Sequence, residues 1–218
     1  MLIHHQGIPI ELLADHAAFL PGEHCLVVSD LHLGKAGVFR AHGLAVPDGD
    51  DSRDLDRLLD LVDSSKAAQL VIAGDLFHAP SDAMGDVLEL LHEWAKRCPA
   101  EVTLVTGNHD QRALRGAKLP FARVDALKLN SVSIVHDPST ASTDAPLTLC
   151  GHLHPVIRIR DGRRTSIRSA CFWLGDQLLT LPSFGSFTGG QIIHPKSTDR
   201  IFIPLRDRIT EVPSSCWK

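Results

Sequence analysis

Apolar residues gather along this chain in short runs, and the runs share an ending. "CLVVSD" closes on Asp30, "LVIAGD" on Asp75, "VTLVTGN" on Asn108, "VSIVHD" on His136 and Asp137, and "LTLCGH" on His152. Short unbroken runs of β-branched residues and leucine predict strands buried on both faces. Each delivers a residue able to bind a metal where the strand must stop. Between the runs the period becomes helical. In "DSRDLDRLLDLVDSS", Leu55, Leu58, Leu59 and Val62 recur at i, i+3, i+4 and i+7, with Asp and Ser available to cap the start. "SDAMGDVLELLHEW" repeats the pattern at Val87, Leu90, Leu91 and Trp94, with Ser81 or Asp82 as the cap.

Strand–helix–strand alternation in the first half implies βαβ units with active residues in the loops beyond the strand ends. From about residue 124 strands dominate, and "DGRR" and "LGDQ" read as hairpin turns. The expected architecture is an α/β layer sandwich with mixed sheets. "PSTASTDAP", residues 138–146, is a polar loop too short to link domains. At 218 residues the chain suits one domain spanning 1–218.

Composition adds three points. Histidine occurs 13 times and tyrosine not at all, and a histidine surplus suits a metal or proton-transfer site. Cys25, Cys98, Cys150, Cys171 and Cys216 form no close pair, which argues against a disulfide framework or zinc ribbon and fits a reducing cytoplasm. The N-terminus "MLIHHQGIPIELL" lacks a signal-peptide pattern, and no run approaches the roughly 18 apolar residues of a membrane span. Finally, the net charge of −4 is segregated: residues 1–109 carry 17 acids and 7 bases, residues 110–218 carry 9 acids and 15 bases. A basic half keeps a nucleic-acid partner open, although solvated faces would explain it equally well.

The chemistry sits at the strand ends: Asp30 and His32 in "SDLHLG", Asp75 in "AGDLFH", Asn108 and His109 in "TGNHD", His136 in "IVHD", His152 and His154 in "GHLHP". A lone strand-end Asp is commonly a turn former. Two histidines after a strand are commonly surface residues. The ordered set is more specific, and it resembles the calcineurin-like binuclear metallophosphoesterases, whose motifs are D-x-H, G-D, G-N-H-[DE], H and G-H-x-H. The resemblance implies two mixed β-sheets flanked by α-helices. It implies one metal held by Asp30, His32, Asp75 and His154, and another by Asp75, Asn108, His136 and His152. His109 would face the scissile phosphate, oriented by Asp110.

Four neutral imidazoles, an amide and two carboxylates leave two divalent cations with a residual positive charge. Such a site attracts an anion and lowers the pKa of a bound water. A ligand set without cysteine suits Mn²⁺, Fe or Zn²⁺. Mn²⁺ is the ion implied by similar nucleases.

"GDLFHAP" lacks the arginine with which protein phosphatases of this superfamily bind a phosphomonoester. "SDLHLG", "GDLFH" and "GNHD" together resemble the Mre11/SbcD nuclease branch. "SDLHLGKAGVFRAHGLAVP" and "LTLPSFGSFTGG" resemble the bacterial ligase-associated DNA damage response endonucleases (the PdeM group). That resemblance implies a DNA endonuclease of single-stranded or flexible DNA in DNA repair, associated with a DNA ligase and a helicase. His78 is then a second substrate-facing histidine, or a loop residue bonding behind the site. "VIRIRDGRRTSIR", residues 156–168, together with Lys35, Arg40, Arg112, Arg115 and Lys118, would track phosphates, or form solvated surface. Phe39 and Phe77 lie near the motifs. Cys150 reads as a small core residue. The rival function is a small-molecule phosphodiesterase or pyrophosphatase acting on cyclic nucleotides or nucleotide diphosphates.

Overall fold

The structure, a computed structural model, describes residues 1–46, 49–78, 84–114, 117–160 and 166–217. Strands β1 (Leu2–His5), β2 (Ile8–Leu13), β3 (Ala17–Leu20), β4 (Cys25–Val28), β5 (Gln69–Ala73), β6 (Glu101–Val105) and β7 (Ala122–Val124) form one sheet in sequence order. The first four are antiparallel, whereas β4 through β7 are parallel.

The second sheet uses β8 (Leu127–Leu129), β9 (Val132–Ile134), β10 (Leu147–Cys150), β13 (Phe172–Leu174), β14 (Leu178–Thr180), β16 (Arg200–Leu205) and β17 (Arg208–Val212). Its order is β17-β16-β13-β14-β10-β9-β8, with parallel pairing only at β9–β10 and β10–β14. A third sheet of three strands, beyond the expected two, joins β11 (Pro155–Arg160), β12 (Ser166–Ala170) and β15 (Gln191–Ile192).

The helices are α1 (Lys35–Ala41), α2 (Asp50–Ser65), α3 (Met84–Arg97) and α4 (Asn108–Ala113). Alternation explains why the central strands read as unbroken apolar runs. Leu26, Val28, Leu70, Ile72 and Leu104 pack towards Leu55, Leu58 and Val62 of α2 and Val87, Leu91 and Trp94 of α3. Val27, Val71, Ala73 and Val105 point the other way, onto Ile134, Leu149, Phe172 and Phe202 of the second sheet. Both faces are therefore buried. Burying a side chain such as Leu58 or Ile72 contributes roughly 1.5–3 kcal/mol. Trp94 satisfies its indole N–H on the Leu55 carbonyl at 2.9 Å, pinning α3 to α2. A smaller cluster of Ile157, Cys171, Ile193, Ile201 and Ile203 seats the third sheet on β16.

Helix α2 starts from Gly49 in the left-handed region without a side-chain cap. Asp50 and Asp51 fall in its first turn, where they face the positive end of the helix instead. Ser81 and Asp82 lie outside the described residues, as do the "DGRR" turn and Arg115. The strands flanking "DGRR" do form an antiparallel pair, and so do those flanking "LGDQ". All five cysteines are free, and Cys150 is fully buried with its thiol pushed up to about 12 by burial. Among the described residues no helix is long and apolar enough to cross a membrane.

Candidate metal centre

Because β4, β5 and β6 are parallel, their carboxyl ends open at one edge of the first sheet, where α/β folds bind ligands. The loops there are laced together by backbone bonds. Asp30 N–H donates to Gly74 O at 3.0 Å, His32 N–H to Asp75 O at 2.9 Å, and His78 N–H to Leu33 O at 3.0 Å. The second sheet delivers His136 after β9 and His152 and His154 after β10, and Gly151 N–H donates to His136 O at 3.2 Å. Asp30, His32, Asp75, His152 and His154 all have φ between 43° and 69°. Residues other than glycine rarely adopt that region, and such strain concentrates at functional sites.

The side chains so aimed converge. Asp30, His32 and His154 bring one ligand atom each within 4.8 Å of one another, and so do Asp75, His136 and His152. His32 Nε2 faces His154 Nε2 at 3.3 Å, and His154 Nε2 lies 3.1 Å from Asp30 Oδ1. His136 Nε2 is 3.1 Å from both Asn108 Oδ1 and His152 Nδ1, and 3.4 Å from Asp75 Oδ2. Asp75 Oδ2 is also 4.0 Å from His32 Nε2, so this carboxylate stands between the two groups.

Backbone carbonyls set the rings. His154 Nδ1–H donates to Gly189 O at 3.1 Å and His136 Nδ1–H to Ala73 O at 3.0 Å, which turns both Nε2 atoms inward. Too many lone pairs then meet for the protons available, and the convergent donor set fits two divalent cations.

The electrostatics agree. Burial pushes His32 down to about 3, against the pull of Asp30 and Asp75, so its ring is the neutral form a metal needs. Burial opposes the charge of His136 too, but the hydrogen bond and charge of Asp75 carry it up to about 9. Asp75 itself is raised by burial but held below the usual carboxylate range by His136. A cation binding here would have to displace the proton that Asp75 stabilises on His136.

His109 and His78 stand beside this centre. Their rings stack with centroids 5.5 Å apart, and each ring meets His32 edge-on. His32, His78 and His109 also bring one nitrogen each within 4.8 Å of one another. Burial depresses the pKa of His78, whose Nδ1 is buried without a partner. His109 N–H donates to Asp75 Oδ1 at 2.9 Å, while its ring Nδ1–H donates to the His78 carbonyl.

That contact corrects the expectation that Asp110 orients His109. Asp110 is fully buried, and its two oxygens accept Phe77 N–H and Gly107 N–H, each at 3.0 Å. As the third residue of a capped turn it faces backwards to close the helix start, away from the neighbouring ring. Burial lifts its pKa to about 6. Phe77 is likewise part of the core, not a surface for a base.

Other contributors carried weaker signals. A Cβ on Gly107 would sit 2.2 Å from Asp75 Oδ1, and one on Gly151 would sit 2.4 Å from Asp30 Oδ2. The glycine before each motif is thus a condition of its geometry. Residues 183–190 wrap beneath the centre. Phe184 N–H donates to Ser29 O and Gly185 N–H to Asp30 O, while Gly189 holds His154. Asp54 of α2, buried and paired with Arg57 at 3.2 Å, accepts Ser186 N–H at 2.8 Å. An acid flanking the apolar stripe of α2 was the available clue to that clamp.

A calcineurin-like phosphoesterase family model matches residues 24–168. The chain belongs to the calcineurin-like phosphoesterase family. It is therefore a metal-dependent phosphoesterase, a hydrolase of a family that binds two metals. The structure of Pseudomonas putida nuclease MPE is 34% identical and covers 96% of this chain and 99% of its own, with a TM-score of 0.80. Yfce, a phosphoesterase from E. coli, is 20% identical over 87% of this chain and 92% of its own, with a TM-score of 0.42. An archaeal phosphodiesterase is 14% identical over 86% and 98%, with a TM-score of 0.43. No curated protein matches the chain. The phosphoesterase match ends at Arg168, and the residues beyond it supply β13, β14, β16 and β17 of the second sheet.

Proposed function

We propose that this phosphoesterase is a DNA endonuclease that cuts single-stranded or flexible DNA in repair, using two divalent ions, with Mn²⁺ as the working ion. The observation that carries the reading is the likeness to a nuclease along nearly the whole chain, 34% identical over 96% of it. Asp30, His32, Asp75 and His154 would hold one ion and Asp75, Asn108, His136 and His152 the other, a reading supported by the convergence of these side chains in two groups with Asp75 between them. Oxygen and imidazole donors without thiolate suit Mn²⁺. Two such ions, when bound, supply charge to a phosphodiester and make a water more acidic.

The remaining work falls to the chain. His109, its Nδ1–H committed to the His78 carbonyl, presents Nε2, and as the doubly protonated imidazolium it would hand the Nε2 proton to the leaving alkoxide and remain as the neutral Nδ1–H ring. Asp110 is a positioning residue that fixes the turn carrying Asn108 and His109. His78 walls the substrate side against His109.

The test is cleavage of a closed circular single-stranded DNA with Mn²⁺, beside a small aryl phosphodiester, for the wild type, Asp75→Ala and His109→Ala. The wild type linearises the circle and Asp75→Ala does not. His109→Ala retains two bound ions and loses roughly 10²–10⁴-fold in rate. Hydrolysis of the aryl diester alone would move the substrate to small nucleotides.

A further inference from the structure

A basic surface leads away from the candidate metal centre along the third sheet. β11 begins at Pro155, next to His154, so at about 3.3 Å per residue Arg158 lies roughly 13 Å and Arg160 roughly 20 Å along it from that histidine. Alternation places both on one face, and the register sets Arg168 directly opposite Arg158.

Like charges facing each other across a strand pair destabilise a sheet. Yet no hydrogen bond or ion pair reaches the side chains of Arg158, Arg160 or Arg168 among the described residues. Beside them opens a cavity of about 400 Å³ lined by Arg158, Arg160, Ile192, His194 and Trp217. The Trp217 indole is anchored against the cluster around Ile157 and Ile193, and its Nε1–H is buried with no acceptor. The opposite flank differs in sign: the cavity beside Asn108 and His136 is lined by Asp125 and Asp137, which repel phosphate.

We propose that this groove is a track for single-stranded nucleic acid on one side of the scissile phosphate, an extension of the nuclease reading that rests on it. Arg158, Arg160 and Arg168 neutralise phosphates of the strand leaving the centre. Trp217, with His194 and the apolar wall of Ile192, lines a pocket of a size and polarity to receive an unpaired base. A base hidden in a duplex offers neither its face nor its ring edge to such a pocket. An acidic protein segment would satisfy the arginines but would bring no planar ring to lie on the apolar wall of the cavity.

The experiment compares the wild type, Arg158→Gln/Arg168→Gln, Trp217→Ala and Arg123→Gln/Lys128→Gln, the last a charge-matched change on the exposed edge strands β7 and β8. Binding of a fluorescent oligodeoxythymidylate is followed by anisotropy across a salt series, alongside cleavage of the same strand and of an aryl phosphodiester. The expected result is at least a tenfold loss of strand affinity and cleavage efficiency in the double variant. Its salt slope should flatten by about 1.4, near 0.7 for each arginine. Aryl diester turnover and the Arg123→Gln/Lys128→Gln control should hold at the wild-type level.

Unchanged strand binding in the double variant overturns the track while leaving the nuclease reading standing, and points the surface to a protein partner. Equal losses on the strand and on the aryl diester overturn it as a defect of the centre. A wild type that binds the strand through these arginines without cutting it supports the track and removes the nuclease reading. Should Trp217→Ala fail to fold, the arginine pair decides the question alone.

Discussion

Asp75 carries the most constraints of any side chain in the centre, because one carboxylate answers to both halves of it. Its Oδ1 accepts His109 N–H, its Oδ2 faces His136 and His32, and Gly107 lies against it. A Cβ on Gly107 would press not only on Oδ1 at 2.2 Å but on the Asp75 backbone nitrogen at 2.3 Å, which cannot swing away. Gly107→Ala is therefore expected to displace the 107–110 turn, and metal stoichiometry should fall below two with loss of turnover. A variant that keeps two ions and wild-type rate would contradict the close packing.

The proton shared by His136 and Asp75 gives a second outcome. His136 is raised from 6.5 to about 9, so without a bound cation its pairing contributes fully below pH 6.5 for as long as Asp75 stays ionised, and the contribution is lost as pH rises through about 9. An entering cation must displace that proton. Divalent affinity should climb between pH 6.5 and 9 with release of protons into a weak buffer, and a flat affinity over that window would count against His136 as a ligand.

At the scale of elements, α2 reaches the centre without touching it. Asp54 takes Ser186 N–H at 2.8 Å and Ser186 Oγ–H at 3.1 Å, while Arg57 donates to Phe184 O and lies over its ring at 3.9 Å. That grip holds the 183–190 segment, whose Gly189 carbonyl fixes the His154 ring. Asp54→Ala should loosen metal binding by roughly 10–100-fold, as for other supports behind a ligand. Titration with excess ion should restore turnover, and a variant of unaltered affinity would show that the segment holds itself.

These elements differ in how far the sequence announces them. β4, β5, β6, β9 and β10 are buried runs of uniform character, and α2 and α3 carry a clean stripe, so periodicity alone exposes them. β1 and β2 escape because "LIHH" and "IPIELL" mix histidine, proline and glutamate on half-exposed strands, and β3, "AAFL", is fully buried but too short and too rich in alanine to stand out. α1 and α4 span only 7 and 6 residues, too short for a stripe. The motif residues were legible because their chemistry lies in the side chains. The 183–190 segment acts largely through backbone carbonyls and amides, which no residue type encodes, and Asp110 shows that adjacency in sequence does not set a side chain's direction.

On the scale of the whole molecule, the centre is a seam. Asp30, His32, Asp75 and Asn108 come from loops of the first sheet, and His136, His152 and His154 from loops of the second. Between the layers lies a continuous apolar core, so the sheets need no metal to stay together. At the seam itself the contacts are polar. Two carboxylates, Asp30 fully buried and Asp75 nearly so, face the imidazole rings there. Ions that bind the folded seam and not the unfolded chain add stability by mass action, about 2.7 kcal/mol for one site at a hundredfold excess over its Kd. For a chain of this size each kcal/mol moves Tm by roughly 2–4 °C. Chelation should thus lower Tm by about 5–11 °C for each site emptied and leave the far-ultraviolet spectrum of the folded state intact. Asp75→Ala, which cannot assemble either group, should melt at one temperature with and without Mn²⁺. An equal metal-dependent rise in that variant would mean that the ions bind somewhere other than the seam.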